Sequence, residues 1–158
     1  MKRILAAFLC ACLLVLPAAA VTGAPETEAG SAVLMEKETG TVLYEDHAHD
    51  KLEPASVTKV MTLLLVMEAI DSGRLKLDDM VTVSARAASM GGSQVYLKEG
   101  EQMTVDDMLK AVAVVSGNDA AVAIAETIGA LMEPGTSDPE AVFVNAMNAK
   151  AQELGCNK

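Results

Sequence analysis

The chain contains no tryptophan, two tyrosines and two phenylalanines. A core must therefore be filled by aliphatic side chains and by the ten methionines, which suit irregular gaps. Cysteine is almost absent. Cys10 and Cys12 fall near the start, so Cys156 stands alone in the remainder. An internal disulfide is excluded there, and stability must come from packing. Basic residues are also few, 12 Lys and Arg against 22 Asp and Glu. Lys2 and Arg3 lie in the first 20 residues, which hold no acid; the rest has 10 basic and 22 acidic residues, net −12. That balance disfavours nucleic acid and anionic membrane surfaces as partners. The apolar run from Ile4 to Leu16 is too short for a comfortable membrane span. There is no internal repeat and no low-complexity tract. A length of 158 residues suffices for one modest core.

What is present begins with an export signal. Lys2 and Arg3 precede the apolar run, Pro17 breaks it, and Ala18-Ala19-Ala20 supply small residues. This is a signal-peptide layout, with cleavage expected after Ala20. A lipoprotein reading of Leu9-Cys10-Ala11-Cys12 is weaker, because the apolar run continues past Cys12. Residues 21–30 are small, polar and acidic, and read as a flexible leader. Residues 31–158 then form the domain, as part of a larger one.

Ser31–Glu36 and Thr41–Glu45 read as two strands joined by a turn at Glu38-Thr39-Gly40. A helix is predicted from Ser56 to about Ser72, with Gly73 as its C-cap. Val60 to Ile70 is apolar apart from Thr62 and Glu68, so this helix is expected to be buried on almost every face. Val81-Thr82-Val83 is strand-like, Ala85 to Met90 suits one or two helical turns, and Gln94 to Leu97 is irregular. Thr104 with Asp107 is a capping-box pattern opening a helix to Val115. Asp119 to Leu131 is a second, Ala-rich helix. Asp138-Pro139-Glu140 opens a last one that ends at Leu154 before Gly155. Two strands cannot cover a helix so apolar, and a lone hairpin is marginal in water. The chain is therefore expected to be the N-terminal part of a longer protein.

Two short motifs carry chemistry. Ser56 and Lys59 are three residues apart, on one face of a helix start. A hydroxyl beside an amine can become a nucleophile beside its base. The bland alternative is a helix cap and a solvated lysine. Ser116-Gly117-Asn118 lies between two helices. It is either a helix end followed by a cap, or a loop presenting a hydroxyl and a carboxamide to a cleft. Gly91-Gly92-Ser93 could border that cleft but reads more simply as a turn. His47 and His49 form a His-x-His in a polar loop, without the further ligands a zinc site needs.

A Ser-x-x-Lys with a Ser-x-Asn is the motif pair of class A β-lactamases and penicillin-binding proteins. With Gly117 between Ser116 and Asn118, the chain resembles the D-alanyl-D-alanine carboxypeptidases, the low-molecular-mass penicillin-binding proteins. Pro54 to Thr62, Gly91-Gly92-Ser93, Glu99-Gly100-Glu101, Ser116 to Ala121, and Phe143-Val144 with Met147-Asn148 carry the resemblance, which covers about residues 31–156. It implies an α/β (α+β) fold of β-lactamase/transpeptidase type. The hairpin would begin an antiparallel sheet, beside a helical subdomain, with later strands missing. The family's Lys- or His-Thr-Gly motif, on one of those strands, is absent; Glu38-Thr39-Gly40 lacks the base and sits in the hairpin turn.

The resemblance also implies roles. Ser56 is the nucleophile, Lys59 its base and Ser116 the proton relay, while Asn118 holds the substrate amide. The Ser56 backbone N–H is half of an oxyanion hole. Loss of the other half would cost on the order of 10²–10³ in rate, so residues 1–158 alone are expected to be inactive. A lysine base must be held neutral, and apolar burial against Val60 and Leu63 would favour that. The implied partners are peptidoglycan stem peptides ending in D-Ala-D-Ala and acylating β-lactam antibiotics. Neither metal nor cofactor is implied. The protein would act at the extracytoplasmic face of the cell membrane, in periplasm or cell wall, with membrane association through a C-terminal region beyond Lys158. A β-lactamase or esterase of the same fold, and a penicillin-binding-like module without catalysis, are the alternatives.

Overall fold

The computed structural model describes residues 25–156. The expected signal peptide and residues 21–24 of the leader lie outside them. Residues 25–30 are exposed and carry neither helix nor strand. The chain divides into two compact units, one ending at Leu52 and one beginning at Glu53.

The first unit is an antiparallel hairpin. Strand β1 (Ala32–Met35) pairs with β2 (Val42–Asp46), Ala32 opposite Asp46, with a bulge between Leu34 and Met35. Its turn is built on Glu36. The Glu36 carboxylate accepts the Thr39 hydroxyl at 2.6 Å and the N–H groups of Thr39 and Glu38 at 2.6 and 2.9 Å. These bonds, the Thr39 hydroxyl first, hold its pKa below the usual carboxylate range. Gly40 closes the turn at φ 71°, a conformation glycine adopts without steric cost. Val33, Leu34, Met35, Val42 and Leu43 are all exposed.

The second unit is helical around one small sheet. A 3₁₀ turn (Ala55–Thr58) leads directly into helix α1 (Lys59–Asp71). Gly73 at φ 71° ends α1, and its N–H reaches Ile70 O at 2.9 Å. Strand β3 (Met80–Thr82) and the short helix α2 (Ala85–Ala88) follow. Strand β4 (Gln102–Thr104) pairs antiparallel with β3. Thr104 ends β4 and also caps helix α3 (Val105–Val115), its hydroxyl accepting the Asp107 N–H at 3.1 Å. Helix α4 spans Asn118–Met132. Helix α5 (Pro139–Glu153) has Pro139 in its first turn, and the Asp138 carboxylate accepts the Ala141 N–H at 3.0 Å.

The core of this unit gathers Val66 of α1, Val81 and Val83 around β3, Met108 of α3, Ile124 and Ile128 of α4, and Phe143 of α5. Burying each such side chain contributes about 1.5–3 kcal/mol before the opposing entropy. Helices α4 and α5 meet at Gly129, where an added Cβ would lie 1.9 Å from Pro139 O.

Among the described residues α1 is not covered on every face, in keeping with the expectation that so short a set of strands cannot wrap it. Its buried residues are Thr62, Leu65, Val66 and Ala69, whereas Val60 is 66% and Met67 50% exposed. Helices α3, α4 and α5 pack on one side. Composition cannot show which side of an all-apolar helix lacks a neighbour.

Candidate active site

The 3₁₀ turn and the start of α1 place Ser56 and Lys59 one turn apart. Lys59 Nζ lies 3.3 Å from Ser56 Oγ. Ser56 is exposed and Lys59 half-buried. Ala55, immediately before the serine, has φ 46°, a left-handed conformation that costs a non-glycine residue about 1–2 kcal/mol. Such strain persists only where the surroundings impose it. Among the described residues no backbone carbonyl takes the Ser56 N–H, while that of Val57 bonds Pro54 O.

The second motif comes to the first through Asn118. Its Oδ1 accepts from Lys59 Nζ at 2.5 Å, and its Nδ2 donates to Gly91 O at 2.7 Å. The amide orientation follows from chemistry. The Gly91 backbone carbonyl only accepts, so the carboxamide nitrogen must face Gly91, which leaves the oxygen toward Lys59. The reading of Asn118 as a helix cap is thereby set aside: it is the first residue of α4, and its side chain reaches outward. Gly117, extended at φ −60° and ψ 119°, occupies the cap position.

Ser116 ends α3 in a left-handed conformation at φ 58° and is half-buried. The structure brings Ser56, Lys59 and Asn118 together by hydrogen bonds. Among the described residues no hydrogen bond joins Ser116 to any of the three. The expected apolar wrapping of Lys59 is only partial, since Val60 points to solvent.

The loop at residues 91–97 is more than a plain turn. Besides Gly91 O, Ser93 O accepts the Asn118 backbone N–H at 2.7 Å. Asp119 was not among the expected site residues. It is 1% exposed and binds the same loop. An acid directly after the Ser-Gly-Asn was the one available signal, and it resembles an ordinary helix-start acid.

A cavity of about 230 Å³ opens beside the cluster. It is lined by Ala55, Thr58, Lys59 and Thr62 on one side, and by residues of α4 and α5, among them Ala125 and Phe143, on the other. Lys59 belongs to both cavity and cluster, whereas Ser56 and Asn118 do not line the cavity. In the first unit, His47 pairs with Asp50 at 3.1 Å and is exposed. Among the described residues no group of three or more His, Cys, Asp or Glu could hold a metal ion.

Comparison with known proteins sets these motifs in context. A family profile described as D-alanyl-D-alanine carboxypeptidase matches residues 18–158. The D-alanyl-D-alanine carboxypeptidase DacF of Bacillus subtilis is 55% identical over 128 residues, covering 81% of this chain and 31% of that protein. The crystal structure of the D-alanyl-D-alanine carboxypeptidase DacD from Francisella tularensis superposes with a TM-score of 0.75 at 38% identity, over 85% of this chain and 31% of that one. Penicillin binding protein 5 from Haemophilus influenzae superposes with a TM-score of 0.73 at 34% identity, over 84% of this chain and 37% of that one. The chain thus spans about a third of the length of the curated relatives it matches. The fold is that of the penicillin-binding proteins and transpeptidases, as the resemblance implied.

Proposed function

Since the chain belongs to the D-alanyl-D-alanine carboxypeptidase family, we propose that it carries the nucleophile-bearing part of a serine-type D-Ala-D-Ala carboxypeptidase. One observation carries the reading: Lys59 Nζ bridges Ser56 Oγ at 3.3 Å and Asn118 Oδ1 at 2.5 Å, uniting two motifs far apart in sequence. Ser56 Oγ attacks the carbonyl carbon of the penultimate D-alanine, and Lys59 accepts the hydroxyl proton. The C–N bond to the terminal D-alanine breaks. Ser116 passes a proton to the leaving nitrogen, for which its hydroxyl must swing toward Lys59. Water then cleaves the Ser56 ester and restores the hydroxyl. Asn118 has a second N–H on Nδ2 for a substrate carbonyl, and the Ser56 backbone N–H supports the developing oxyanion.

The substrate is a peptidoglycan stem peptide, and a β-lactam antibiotic acylates the same serine. Both chemistries belong outside the cytoplasm, in keeping with the signal-peptide layout of residues 1–20. A role in cell-wall synthesis and cell shape follows, and membrane association would involve a C-terminal region.

The test uses the complete protein. A fluorescent penicillin should label it, and a synthetic peptide ending in D-Ala-D-Ala should release free D-alanine. Ser56→Ala should abolish both. Normal labelling of Ser56→Ala would reject the nucleophile. Lasting label without D-alanine release would favour a non-catalytic penicillin-binding module, and rapid loss of the label with penicillin hydrolysis a β-lactamase.

A further inference from the structure

Asp119 is a buried acid, and the mechanism above makes no use of it. At 1% exposure, its carboxylate accepts three backbone N–H groups: Val95 at 3.1 Å, Leu97 at 3.0 Å and its own neighbour Ala120 at 2.9 Å. Only the last is a local helix-start contact. The other two reach more than twenty residues back, to a segment with neither helix nor strand. Such a loop must find acceptors for its buried donors, and here one side chain supplies them.

The geometry of the loop follows from that demand. The N–H groups of residues 95 and 97 can converge on a single carboxylate if the chain curls between them. Tyr96 provides the curl, at φ 61°, with its ring turned outward and 79% exposed. A bulky residue in that conformation is strained, and the hydrogen bonds of Val95 and Leu97 to Asp119 on either side hold it there. The same loop gives Ser93 O to the Asn118 backbone and Gly91 O to the Asn118 side chain. Gly92 lies close enough that a Cβ on it would stand 2.9 Å from Asn118 Nδ2.

We infer that Asp119 is a positioning residue: it fastens the loop at residues 91–97 to the start of α4, and the loop in turn fixes the Asn118 carboxamide with its oxygen toward Lys59. The inference rests on the proposed reading for its effect on rate, but not for its structural content. Asp119→Asn keeps the shape. However, it leaves one acceptor oxygen where two served, and it turns an N–H₂ toward backbone donors.

In the complete protein, Asp119→Asn should slow acylation by a fluorescent penicillin about 10- to 100-fold, the scale of a sub-ångström to ångström misplacement. A residue acting through Asn118 gives non-additive losses. The double variant Asn118→Ala with Asp119→Asn should therefore acylate no more slowly than Asn118→Ala alone. A folded Asp119→Asn protein with parental rate, or losses that multiply, would overturn the inference. A second readout is independent of chemistry. In ¹⁵N-labelled protein the Asn118 side-chain amide proton bonded to Gly91 O should be protected from exchange in the parent and exposed in Asp119→Asn; equal protection would refute it. If Asp119→Asn fails to fold, Gly92→Ala displaces the same amide from the loop side and should show the same two effects, and parental behaviour of that variant would equally refute it. Failure of the parent to react with penicillin would sink the functional reading alone, because the amide measurement still decides the role of Asp119.

Discussion

Replacing Gly129 by alanine should destabilise the protein, although helix propensity argues the reverse. In a helix interior alanine is favoured over glycine by about 1 kcal/mol. Gly129 is buried within α4, and the Cβ of an alanine would lie 1.9 Å from Pro139 O, 2.7 Å from Pro139 C and 3.1 Å from Pro139 Cα. These atoms are backbone, at the first turn of α5, so no side-chain rotation relieves the overlap. The start of α5 must move by an ångström or more. Overpacking of this kind costs about 1–3 kcal/mol, and the shift also pulls the Asp138 cap from the Ala141 N–H, a bond worth about 1 kcal/mol. Set against the propensity gain, the net loss is about 2 kcal/mol. For a domain of about 150–250 residues that lowers Tm by about 4–8 °C. Thermal melts followed by far-ultraviolet circular dichroism on the complete protein measure it. Ala130→Gly, one position on and exposed, reports propensity without the clash and should lose up to about 1 kcal/mol. A Gly129→Ala protein that melts at or above the parental temperature would refute the reasoning.

Other outcomes follow from single contacts. Phe143→Ala empties the largest fully buried side chain and should cost about 3–5 kcal/mol in urea unfolding. Ala55→Gly removes the left-handed strain ahead of Ser56; Tm should not fall, while penicillin acylation of the complete protein should slow because Ser56, the proposed nucleophile, is held less firmly. The Glu36 turn should respond to acid. Its carboxyl is lowered from an ordinary value of 4.5, so its contribution is fully present above that value and is lost as pH falls through the lower folded one. Exchange of the Thr39 amide proton should therefore quicken in strong acid. It should be fast at all pH in Glu36→Gln, and a pH-independent amide would count against the turn described.

Much of the fold was legible because its signals are local. The caps at Thr104 and Asp138, the turn at Gly40 and the stop at Gly73 each rest on a few neighbouring residues. Strand β4 escaped notice because Gln102-Met103-Thr104 is too short to show alternation and runs straight into a helix cap. The uncovered side of α1 was invisible for the opposite reason, since apolar residues all round carry no direction. At the site, Ser56 and Lys59 could be paired from their spacing alone. The link from Lys59 to Asn118 crosses 59 positions, and the buried bonds of Asp119 cross more than twenty. No periodicity reports contacts at that range.

Ser116 has a consequence of another kind. A left-handed residue at the end of a helix is most cheaply a glycine, and serine there carries a penalty of about 1 kcal/mol. A random library screened for heat resistance alone would therefore enrich glycine at position 116 and discard the hydroxyl unnoticed. With Ser116 in its proposed role as proton relay, thermal selection and catalytic selection pull in opposite directions at this one backbone angle, and engineering of the protein would have to impose both together.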